Sequence, residues 1–338
     1  MAARGRRSGS APMLLGEWVE QWLAQRRRAP NTLAHEWSHF RTHFGPLREV
    51  PIAELTTFHC RAWLDDLRFR LCDRKPPMGQ PHTVQHCYNL LRSALNGAVE
   101  LGLIEHNPTV AIPRPRIPRP SPKYLTPEDV ERVLRRVDRS GDPRSAAVHL
   151  MLRLGLRRGE ALGLTWGDVD LKEGRLTISH QLQRVPDPDG TARTLLQRVA
   201  LKTVASTRTL SLDERLARYL SDLRSASSVS SDDELVVRSR LGGPVEPDGM
   251  TAWLRRVGEL EGVVCTPHRL RHTAATMMLR HDVALPTVGA VLGHTDFRTT
   301  SVYARVMDTS KEEALKALGD ALGDVQPAKR RPPGARRG

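Results

Sequence analysis

The apolar residues of the first hundred positions recur at helical spacing in four segments. These segments are "MLLGEWVEQWLAQR", "PNTLAHEWSHFRTHFG", "TTFHCRAWLDDLRFRL" and "QPHTVQHCYNLLRSALNGAVELGL". Apolar side chains three and four positions apart share one face of a helix, so each segment predicts an amphipathic helix. A threonine precedes the third helix and Pro81 falls in the first turn of the fourth, and both are favourable start signals. The pattern predicts a helical domain over residues 13–106.

A proline-rich segment then interrupts the helical pattern. It runs from Asn107 to Pro127, "NPTVAIPRPRIPRPSPKYLTP", and contains seven prolines. Proline cannot continue a helix or a central strand, so we expect this segment to be extended, stiff and exposed. The predicted domain boundary lies here, with a linker over residues 107–122.

Beyond the linker the helical period returns and changes once. "LTPEDVERVLRRV" has Thr126 as a cap and Pro127 in its first turn, and "DPRSAAVHLMLRLGL" and "RRGEALGLTW" predict further helices. The alternation in "GRLTISHQLQRV" and "TLLQRVALKTVASTRTLSL", with the turn signal "DPDG" between them, predicts a small antiparallel sheet. From Asp213 onward the pattern is helical again. We therefore predict a mainly α fold with a small antiparallel β-sheet, whose second domain covers residues 123–323.

The charge distribution points to a polyanionic partner. The 338-residue chain is long enough for two domains, and its formal net charge is +14. Most of that charge lies in residues 1–10, 111–123 and 326–338, none of which contains an acid. We expect basic tails at residues 1–12 and 324–338. Positive charge in tails and a linker can close around a phosphate backbone, although solvated, disordered ends are the alternative interpretation.

Other classes of partner and cofactor are disfavoured. No apolar run is long enough to cross a bilayer, and the basic N-terminus lacks the apolar region of a signal peptide. The four cysteines form no C-x-x-C pair, which argues against a disulfide framework or a structural zinc site and fits a reducing cytoplasm. We therefore expect a cytoplasmic, nucleoid-associated protein without a metal site.

The fourth predicted helix has a polar face that suits DNA. This face contains no acid before Glu100. Acid-free polar faces suit contacts in a DNA groove, but an ordinary solvated face explains the pattern equally well. With further arginines from the second helix and the linker, the candidate DNA-binding residues are Arg41, His82, Gln85, His86, Asn89, Arg92, Arg114, Arg116 and Arg119.

Candidate chemistry is concentrated in the second domain. The segments concerned are "LGLRRGEALGLTWGDVD", "LKTVASTRTLSL", "TPHRLRHTAAT" and "VLGHTDFRTTSVYAR". There is no carboxylate pair suited to glycoside hydrolysis, no phosphate-binding G-x-x-x-x-G-K-[ST] loop and no acidic cluster spaced for Mg²⁺. The candidate catalytic residues are Arg157, Lys202, His268, Arg271, His294 and Tyr303.

This set suits attack on a phosphodiester. Guanidinium groups bind non-bridging phosphate oxygens and stabilise the extra charge of the transition state. Tyr303 is the nucleophile, and its ordinary pKa of about 10 requires cationic neighbours or a base at neutral pH. His268 can take the proton and Lys202 can donate one to the leaving 5′-oxygen.

Each of these residues has a commoner structural role when it is taken singly. An arginine after a helix end is usually a surface ion pair, and a tyrosine is more often a core ring. His268 and His272 have the i, i+4 spacing of two metal ligands, but no H-E-x-x-H acid accompanies them. The weight of the hypothesis therefore lies in the joint occurrence and order of the residues.

The ordered set resembles the tyrosine recombinase (phage integrase) family. "GLRRGEALGLTWGDVD", "HRLRHTAAT" and "LGHTDFRTTSVYAR" are similar to family boxes and follow the family order. The resemblance extends from about Met13 to about Asp320. It implies an N-terminal helical core-binding (SAM-like) domain and a C-terminal α+β catalytic domain.

The resemblance also implies roles and partners. Arg157 and Arg271 would clamp the scissile phosphate, Lys202 would be the general acid, and Glu160 would orient groups around Arg157. His268 would assist proton transfer and His294 would hydrogen-bond the phosphate. Tyr303 would form a 3′-phosphotyrosyl link and release a 5′-hydroxyl, and because this link keeps the bond energy, neither ATP nor a metal cofactor is needed. The implied partners are double-stranded DNA recombination sites, a homo-tetramer on synapsed DNA and an excisionase or directionality factor.

Three functions stay open at this point. The first is the integrase of a mobile element, which the long linker, the composition rich in Arg, Ala, Pro and Gly, and the basic tail favour. The second is an Xer-type resolvase of chromosome dimers, favoured because residues 1–12 are too few for the extra DNA-binding domain of many phage integrases. The third is a non-catalytic DNA-binding protein on the same scaffold, against which the six filled catalytic positions argue.

Overall fold

The computed structural model describes residues 12–73, 80–117, 124–187, 194–201, 206–227 and 229–294. The chain divides into two compact units. Unit 1 consists of Met1–Pro120 with Arg184–Leu195, and unit 2 consists of Ser121–Gln183 with Leu196–Gly338. None of the helices in the described ranges combines the length and apolar content that crossing a membrane requires.

Unit 1 is built on four helices, and the sequence predicts all of them. Their bounds are α1 (Leu15–Gln25), α2 (Pro30–His43), α3 (Thr57–Arg68) and α4 (Pro81–Glu100). The predicted start signals are confirmed, because Thr56 Oγ1 accepts the backbone N–H of His59 at 3.3 Å and Pro81 occupies the first turn of α4.

Aromatic rings form much of the core of unit 1. Phe40 and Phe44 lie one turn apart on α2 with ring centroids 5.2 Å apart, and Phe44 packs against Trp63 at 5.1 Å. Two indole N–H groups reach backbone acceptors: Trp18 donates to Ala94 O at 2.8 Å and Trp63 donates to His43 O at 2.9 Å. These bonds satisfy the only polar atom of each ring and tie α1 to α4 and α3 to α2.

The start of the proline-rich segment is buried, so the expectation that the whole segment is exposed is wrong for this part. Thr109 is fully buried and Ile112 joins the apolar core of unit 1. The hydroxyl of Tyr88 lies 3.2 Å from Thr109 O and 2.9 Å from Ile112 O. Asn107 Nδ2 donates to Arg92 O at 3.0 Å. Side chains of α4 and of the segment itself therefore satisfy backbone groups that proline keeps out of a helix or a sheet.

The helices of unit 2 surround α6, which is buried along nearly its whole length. A helix that is apolar on every side is stable only inside a core, and α6 packs against α10 on one side and against α5, α7 and α8 on others. The helical bounds are α5 (Pro127–Arg139), α6 (Ser145–Arg153), α7 (Arg158–Leu162), α8 (Glu214–Ala226), α9 (Pro247–Leu260), α10 (Pro267–Arg280) and α11 (Leu285–Leu292).

Among the residues that the structure describes, five short strands form two sheets. They are β1 (Val169–Asp170), β2 (Arg175–Ile178), β3 (His180–Pro186), β4 (Thr194–Ala200) and β5 (Arg208–Ser211). The first sheet has the order β1–β2–β5 with antiparallel pairs, and Leu176 lies opposite both Val169 and Leu210. The second sheet pairs β3 with β4. The predicted fold class, mainly α with small antiparallel sheets, is confirmed.

The space around two glycines of α9 predicts that replacement by alanine has opposite effects on stability at the two positions. A Cβ on Gly258 would lie 2.3 Å from Val263 O and 2.8 Å from Cys265 N, and neither backbone atom can move aside. We expect Gly258→Ala to lower the free energy of unfolding by about 1–3 kcal/mol through overpacking. The measurement is chemical denaturation of the full chain.

Gly249→Ala is the matched control on the same helix. A Cβ there would meet only Glu246 Cβ, at 3.6 Å. Alanine is the better helix former, so this change should be neutral or stabilising by up to about 1 kcal/mol. Equal effects of the two substitutions would contradict the packing described for Gly258.

Candidate active site

Four predicted or newly found site residues come together at the C-terminal end of α11. Arg157 directly precedes α7, Arg208 begins β5, and Arg271 lies in α10. Helix α11 ends at Leu292, and Gly293 and His294 follow it directly. Elements that are far apart in the chain therefore contribute to one cluster, which we call the arginine cluster: Arg157, Arg208 and Arg271.

The arginine cluster binds three successive carbonyl groups at the end of α11. The last carbonyls of a helix lack intrahelical partners and form the negative end of the helix dipole, so cations are stabilised there. Each guanidinium takes a different carbonyl, which fixes all three relative to the helix end. The bonds are Arg208 Nε to Val291 O at 2.7 Å, Arg271 Nη2 to Leu292 O at 2.6 Å and Arg157 Nη2 to Gly293 O at 2.9 Å.

A buried carboxylate, that of Glu160, holds two of these arginines. Its side chain is 0% exposed and accepts from Arg208 Nη2 at 2.8 Å and from Arg157 Nη1 at 2.7 Å. It also accepts the backbone N–H of Arg157 at 2.9 Å. Burial by itself would raise the pKa of Glu160, but the hydrogen bonds and charge of Arg208, with those of Arg157, outweigh it and keep the pKa below its usual value. Glu160 is therefore a carboxylate at neutral pH.

Gly293 ends α11 in a conformation that requires glycine. Its φ is +65°, in the left-handed region typical of helix C-termini. A Cβ at this position would lie 2.6 Å from Arg208 Nη1. The glycine of the "LGH" motif thus allows Arg208 to approach the end of the helix.

Arg271 is the most buried member of the cluster. The residue is 5% exposed, and its Nη1 donates to Gly155 O at 2.5 Å in addition to the Nη2 bond to α11. Gly155 has a φ of +63°, and a Cβ there would lie 2.5 Å from Leu292 Cδ2. The two bonds use two of the five N–H groups of the guanidinium.

His294 is a neutral imidazole at physiological pH. Its backbone N–H donates to Gly289 O at 3.0 Å, which places the ring beside the arginine cluster. Partial burial, followed by the charges of Arg271, Arg157 and Arg208, lowers the pKa of His294 to about 4. A neutral ring can donate one hydrogen bond to an anion without adding charge.

His268 pairs with His272 on the exposed side of α10. Their Nε2 atoms lie 2.5 Å apart, so one ring must donate and the other must accept. Burial, then the neighbouring His268 and Arg271, lowers the pKa of His272 to about 4; burial and Arg271 also lower the pKa of His268. Both rings are therefore uncharged near neutral pH, and one N–H lies between the two facing nitrogens.

Lys202 and Tyr303 lie outside the described residues. The residue before Lys202 is anchored, since the backbone N–H of Leu201 donates to Ser179 O at 3.0 Å. The structure therefore brings together Arg157, Arg271 and His294 of the predicted catalytic set, with His268 on the same helix as Arg271. The catalytic roles of all six residues stay predictions.

The predicted DNA-binding residues of unit 1 occupy different environments. Gln85 Nε2 donates to Pro115 O at 2.7 Å and Arg92 Nη1 donates to the Tyr88 hydroxyl at 3.0 Å, so both side chains bind their own chain. Asn89 is half-buried. Of the others, Arg119 lies outside the described residues, and the exposed ones are Arg41, His82, His86, Arg114 and Arg116. DNA contacts of this set stay a prediction.

Arg208 was not among the site residues predicted from the sequence. The side chain is 8% exposed and makes bonds to Glu160, Val291 and Ser206. The sequence did contain a signal for this residue. Side chains of a short strand alternate between the core and the surface, and an arginine that points toward the core needs an acidic partner. Nothing local identifies that partner, because Glu160 lies 48 positions earlier.

The arrangement can bind an anion with delocalised charge. Three guanidinium groups face one carboxylate and neutral imidazoles, so the described site keeps a positive excess. The side chain of Arg157 is 40% exposed, which leaves it open to a ligand from solvent. Guanidinium groups match the spacing of phosphate oxygens, so a phosphate diester or monoester fits this site chemically.

Removal of the buried carboxylate should destabilise unit 2 strongly. Glu160→Ala leaves Arg208 buried without its counter-charge, and breaking one side of a buried ion pair typically costs about 3–5 kcal/mol. The control is Glu131→Ala, which removes the exposed i, i+4 partner of Arg135 on α5 and should cost under about 0.5 kcal/mol. Unfolding free energies of both variants test this; comparable losses would contradict the role assigned to Glu160.

The chain is similar to known proteins over most of its length. A tyrosine recombinase XerC-like protein from Caldanaerobacter subterraneus subsp. tengcongensis is 25% identical over 330 residues, covering 90% of this chain and 83% of that protein. The integrase of Mycobacterium phage D29 is 24% identical over 333 residues, covering 95% and 82% of the two chains. The solved structure of the Tn1549 transposon integrase with a circular intermediate DNA shares the fold, with a TM-score of 0.74 and 19% identity over 90% of this chain and 99% of that one.

The family itself is settled by a direct match. The model of the phage integrase family matches residues 123–310, which include all six predicted catalytic positions. This range is more than half of the chain. The resemblance seen in the sequence motifs is confirmed, and the chain belongs to the phage integrase family of tyrosine recombinases.

Proposed function

We propose that this chain is a site-specific DNA recombinase that integrates and excises a mobile element. It cuts one DNA strand by attack of Tyr303 on a phosphodiester and rejoins strands by the reverse reaction. The observation that carries this proposal is the arginine cluster at the end of α11, which leaves a positive, phosphate-matching site directly before the segment that leads to Tyr303.

Arg157 and Arg271 bind the scissile phosphate in this mechanism. Attack by a phenolate adds negative charge to the non-bridging oxygens in the transition state. Guanidinium groups that are already fixed by protein bonds stabilise that charge without reorganising. Arg208 and Glu160 act as positioning residues, since they hold Arg157 and the end of α11 in place.

The protons move through neutral and cationic groups around the phosphate. Tyr303 loses its proton and forms the 3′-phosphotyrosyl bond, while the bond to the 5′-oxygen breaks. Lys202 supplies the proton to that oxygen as it leaves as a 5′-hydroxyl. His294 donates a hydrogen bond to the phosphate in its neutral form, and His268, an uncharged ring paired with His272, accepts the phenol proton.

The partners follow from the same chemistry. The substrate is double-stranded DNA carrying recombination sites, to which the exposed basic residues of unit 1 and the tails add non-specific affinity. Two sites recombine when four copies of this chain assemble as a homo-tetramer on them, and an excisionase sets the direction. The reaction takes place in the cytoplasm, at the nucleoid.

The role of integrase is preferred over that of an Xer-type resolvase. Relatives named as Xer-type recombinases and relatives named as integrases both match the chain, and the match to the phage D29 integrase covers 95% of this chain. The basic tails and the Pro/Arg-rich segment add charge outside the catalytic fold, which suits an element that must find its own sites. An adjacent excisionase gene or tRNA end in the genome supports the integrase role, and a site at the chromosome terminus supports the resolvase role.

Tyr303→Phe tests the covalent step. With a nicked DNA substrate that traps the intermediate, the wild-type chain should form a covalent protein–DNA adduct that survives denaturing electrophoresis. The variant should form none, because phenylalanine has no nucleophilic oxygen, yet it should retard the same DNA with a change in affinity below about threefold.

Tyr124→Phe is the matched control, since it makes the same change at a tyrosine outside the site. It should form the adduct at the wild-type level. An adduct that persists in Tyr303→Phe would show that another residue is the nucleophile. Normal retardation without an adduct in the wild-type chain would favour the non-catalytic DNA-binding protein.

Deletion of residues 311–338 tests the assembly. This amphipathic and basic end, which lies outside the described residues, is our candidate for docking on a neighbouring copy. The truncated chain should keep covalent adduct formation on one site but lose the complex that joins two sites, as measured by native electrophoresis. A truncated chain that joins sites and recombines normally contradicts this docking.

A further inference from the structure

A second cluster of reactive side chains lies in unit 1. His39 and His43 on α2 and Cys87 on α4 each offer one donor atom, and these three atoms lie within 4.8 Å of one another. The two histidines have i, i+4 spacing, which places them on one face of α2. Cys87 faces them from the adjacent helix. We call this set the His–Cys cluster.

Further imidazoles surround the His–Cys cluster. His35 continues the stripe of α2 one turn earlier, and the ring of His86 stacks on His39 with centroids 5.9 Å apart and planes 8° apart. Burial lowers the pKa of His39, and the nearby rings of His43, His86 and His35 lower it further. Neutral imidazole is the form that binds a metal.

The interior of the cluster contains polar atoms that the fold leaves unused. Nδ1 of His43 is buried and has no hydrogen-bond partner within the described chain. The Cys87 residue is 0% exposed, and its thiol can make only weak hydrogen bonds. Buried polar atoms without partners are rare in folded proteins and call for an unseen partner such as an ion.

We propose that His39, His43 and Cys87 form a Zn²⁺ site that joins α2 to α4. Zinc prefers nitrogen and sulfur donors, with bonds of about 2.0–2.3 Å that separate the donors by about 3.3–3.6 Å in a tetrahedron. The observed donors lie within 4.8 Å of one another, so side-chain rotation would have to draw them closer together. The exposed ring of His86, which stacks on His39, is the candidate for the fourth ligand, with water as the alternative.

The charge balance of the cluster allows a dication. Burial lowers the pKa of His43 and raises the pKa of the Cys87 thiol to about 12. Arg70 acts on both groups in the lowering direction, and its charge opposes a metal ion. It is paired with Asp66, however, with a 2.8 Å bond from Nε to Oδ2. Zinc replaces the thiol proton of Cys87, so that the bound site contains a thiolate that offsets one charge of the ion.

The site was not visible in the sequence because its ligands follow no known zinc spacing. The C-x-x-C criterion detects ligands that are neighbours along the chain. Here Cys87 stands 44 positions after His43, and only the packing of α4 on α2 brings them together. The prediction that the chain has no structural zinc site is replaced by this proposal.

Cobalt binding tests the proposal on the full chain, produced without a histidine tag and stripped of metal. Co²⁺ alone is titrated into the protein, followed by Zn²⁺. A four-coordinate site with a thiolate gives a sulfur-to-cobalt charge-transfer band and intense visible bands, at one Co²⁺ per chain, and Zn²⁺ abolishes both. Zn²⁺ should also raise the thermal unfolding temperature of the chain.

The variants separate this site from other metal binding. Cys87→Ala should abolish the charge-transfer band and the thermal shift, and His39→Gln should weaken Zn²⁺ binding by more than about 100-fold, since even outer-shell losses cost about 10- to 100-fold. Cys60→Ala is the matched control: Cys60 is also a buried thiol of unit 1 whose pKa burial raises to about 12, but it lies outside the cluster. It should leave the spectrum unchanged.

Each outcome decides for or against the site. A cobalt spectrum without the sulfur band, or one that is equal in Cys87→Ala and the wild-type chain, overturns the proposal. Should Cys87→Ala fail to fold, as judged by circular dichroism of the metal-free protein, the half-buried His39→Gln carries the decision by itself. None of these readouts depends on recombination, so the proposal stands or falls independently of the proposed function.

Discussion

The ion pairs of one buried carboxylate organise the catalytic half of this recombinase. Glu160 has no exposed surface, and a charge in such a place persists only when cations and donors surround it. Its carboxylate accepts hydrogen bonds from the side chains of Arg208, the first residue of β5, and Arg157, which directly precedes α7. Because those guanidinium groups also bind the carbonyls that end α11, the carboxylate indirectly fixes the helix that carries the chain into the reactive segment.

This arrangement explains why the electrostatics of the site favour phosphate. The arginine cluster has one carboxylate for three guanidinium groups, and it drives the pKa of the neighbouring His294 down to about 4. A histidine charged near neutrality would add to the repulsion within the cluster, whereas a neutral ring adds only a hydrogen bond. In the proposed mechanism the arginines supply charge, while the neutral His294 donates a hydrogen bond and His268 accepts a proton.

Local sequence patterns predicted most of the helices and about half of the active-site residues. The caps at Thr56 and Thr126 and the stripes of α1 to α4 follow from rules that involve neighbours of three or four positions, so they were predictable. Arg208, the burial of Ile112 and the approach of Cys87 to His43 depend on side chains many positions apart. Local patterns in a single sequence do not reveal which distant helix faces meet, and that is why these features emerged only from the fold.

The anchored end of α11 also sets a limit on reach. The last described residues are anchored, Gly293 by a guanidinium bond to its carbonyl and His294 by the bond from its backbone N–H. Tyr303 follows nine positions later, and nine extended residues span at most about 30 Å. In the proposed reaction, the ester that Tyr303 attacks therefore lies within this distance of His294 plus the length of the tyrosine side chain, whichever copy's arginines bind that ester. Active centres that exchange nucleophiles must therefore sit close together on DNA.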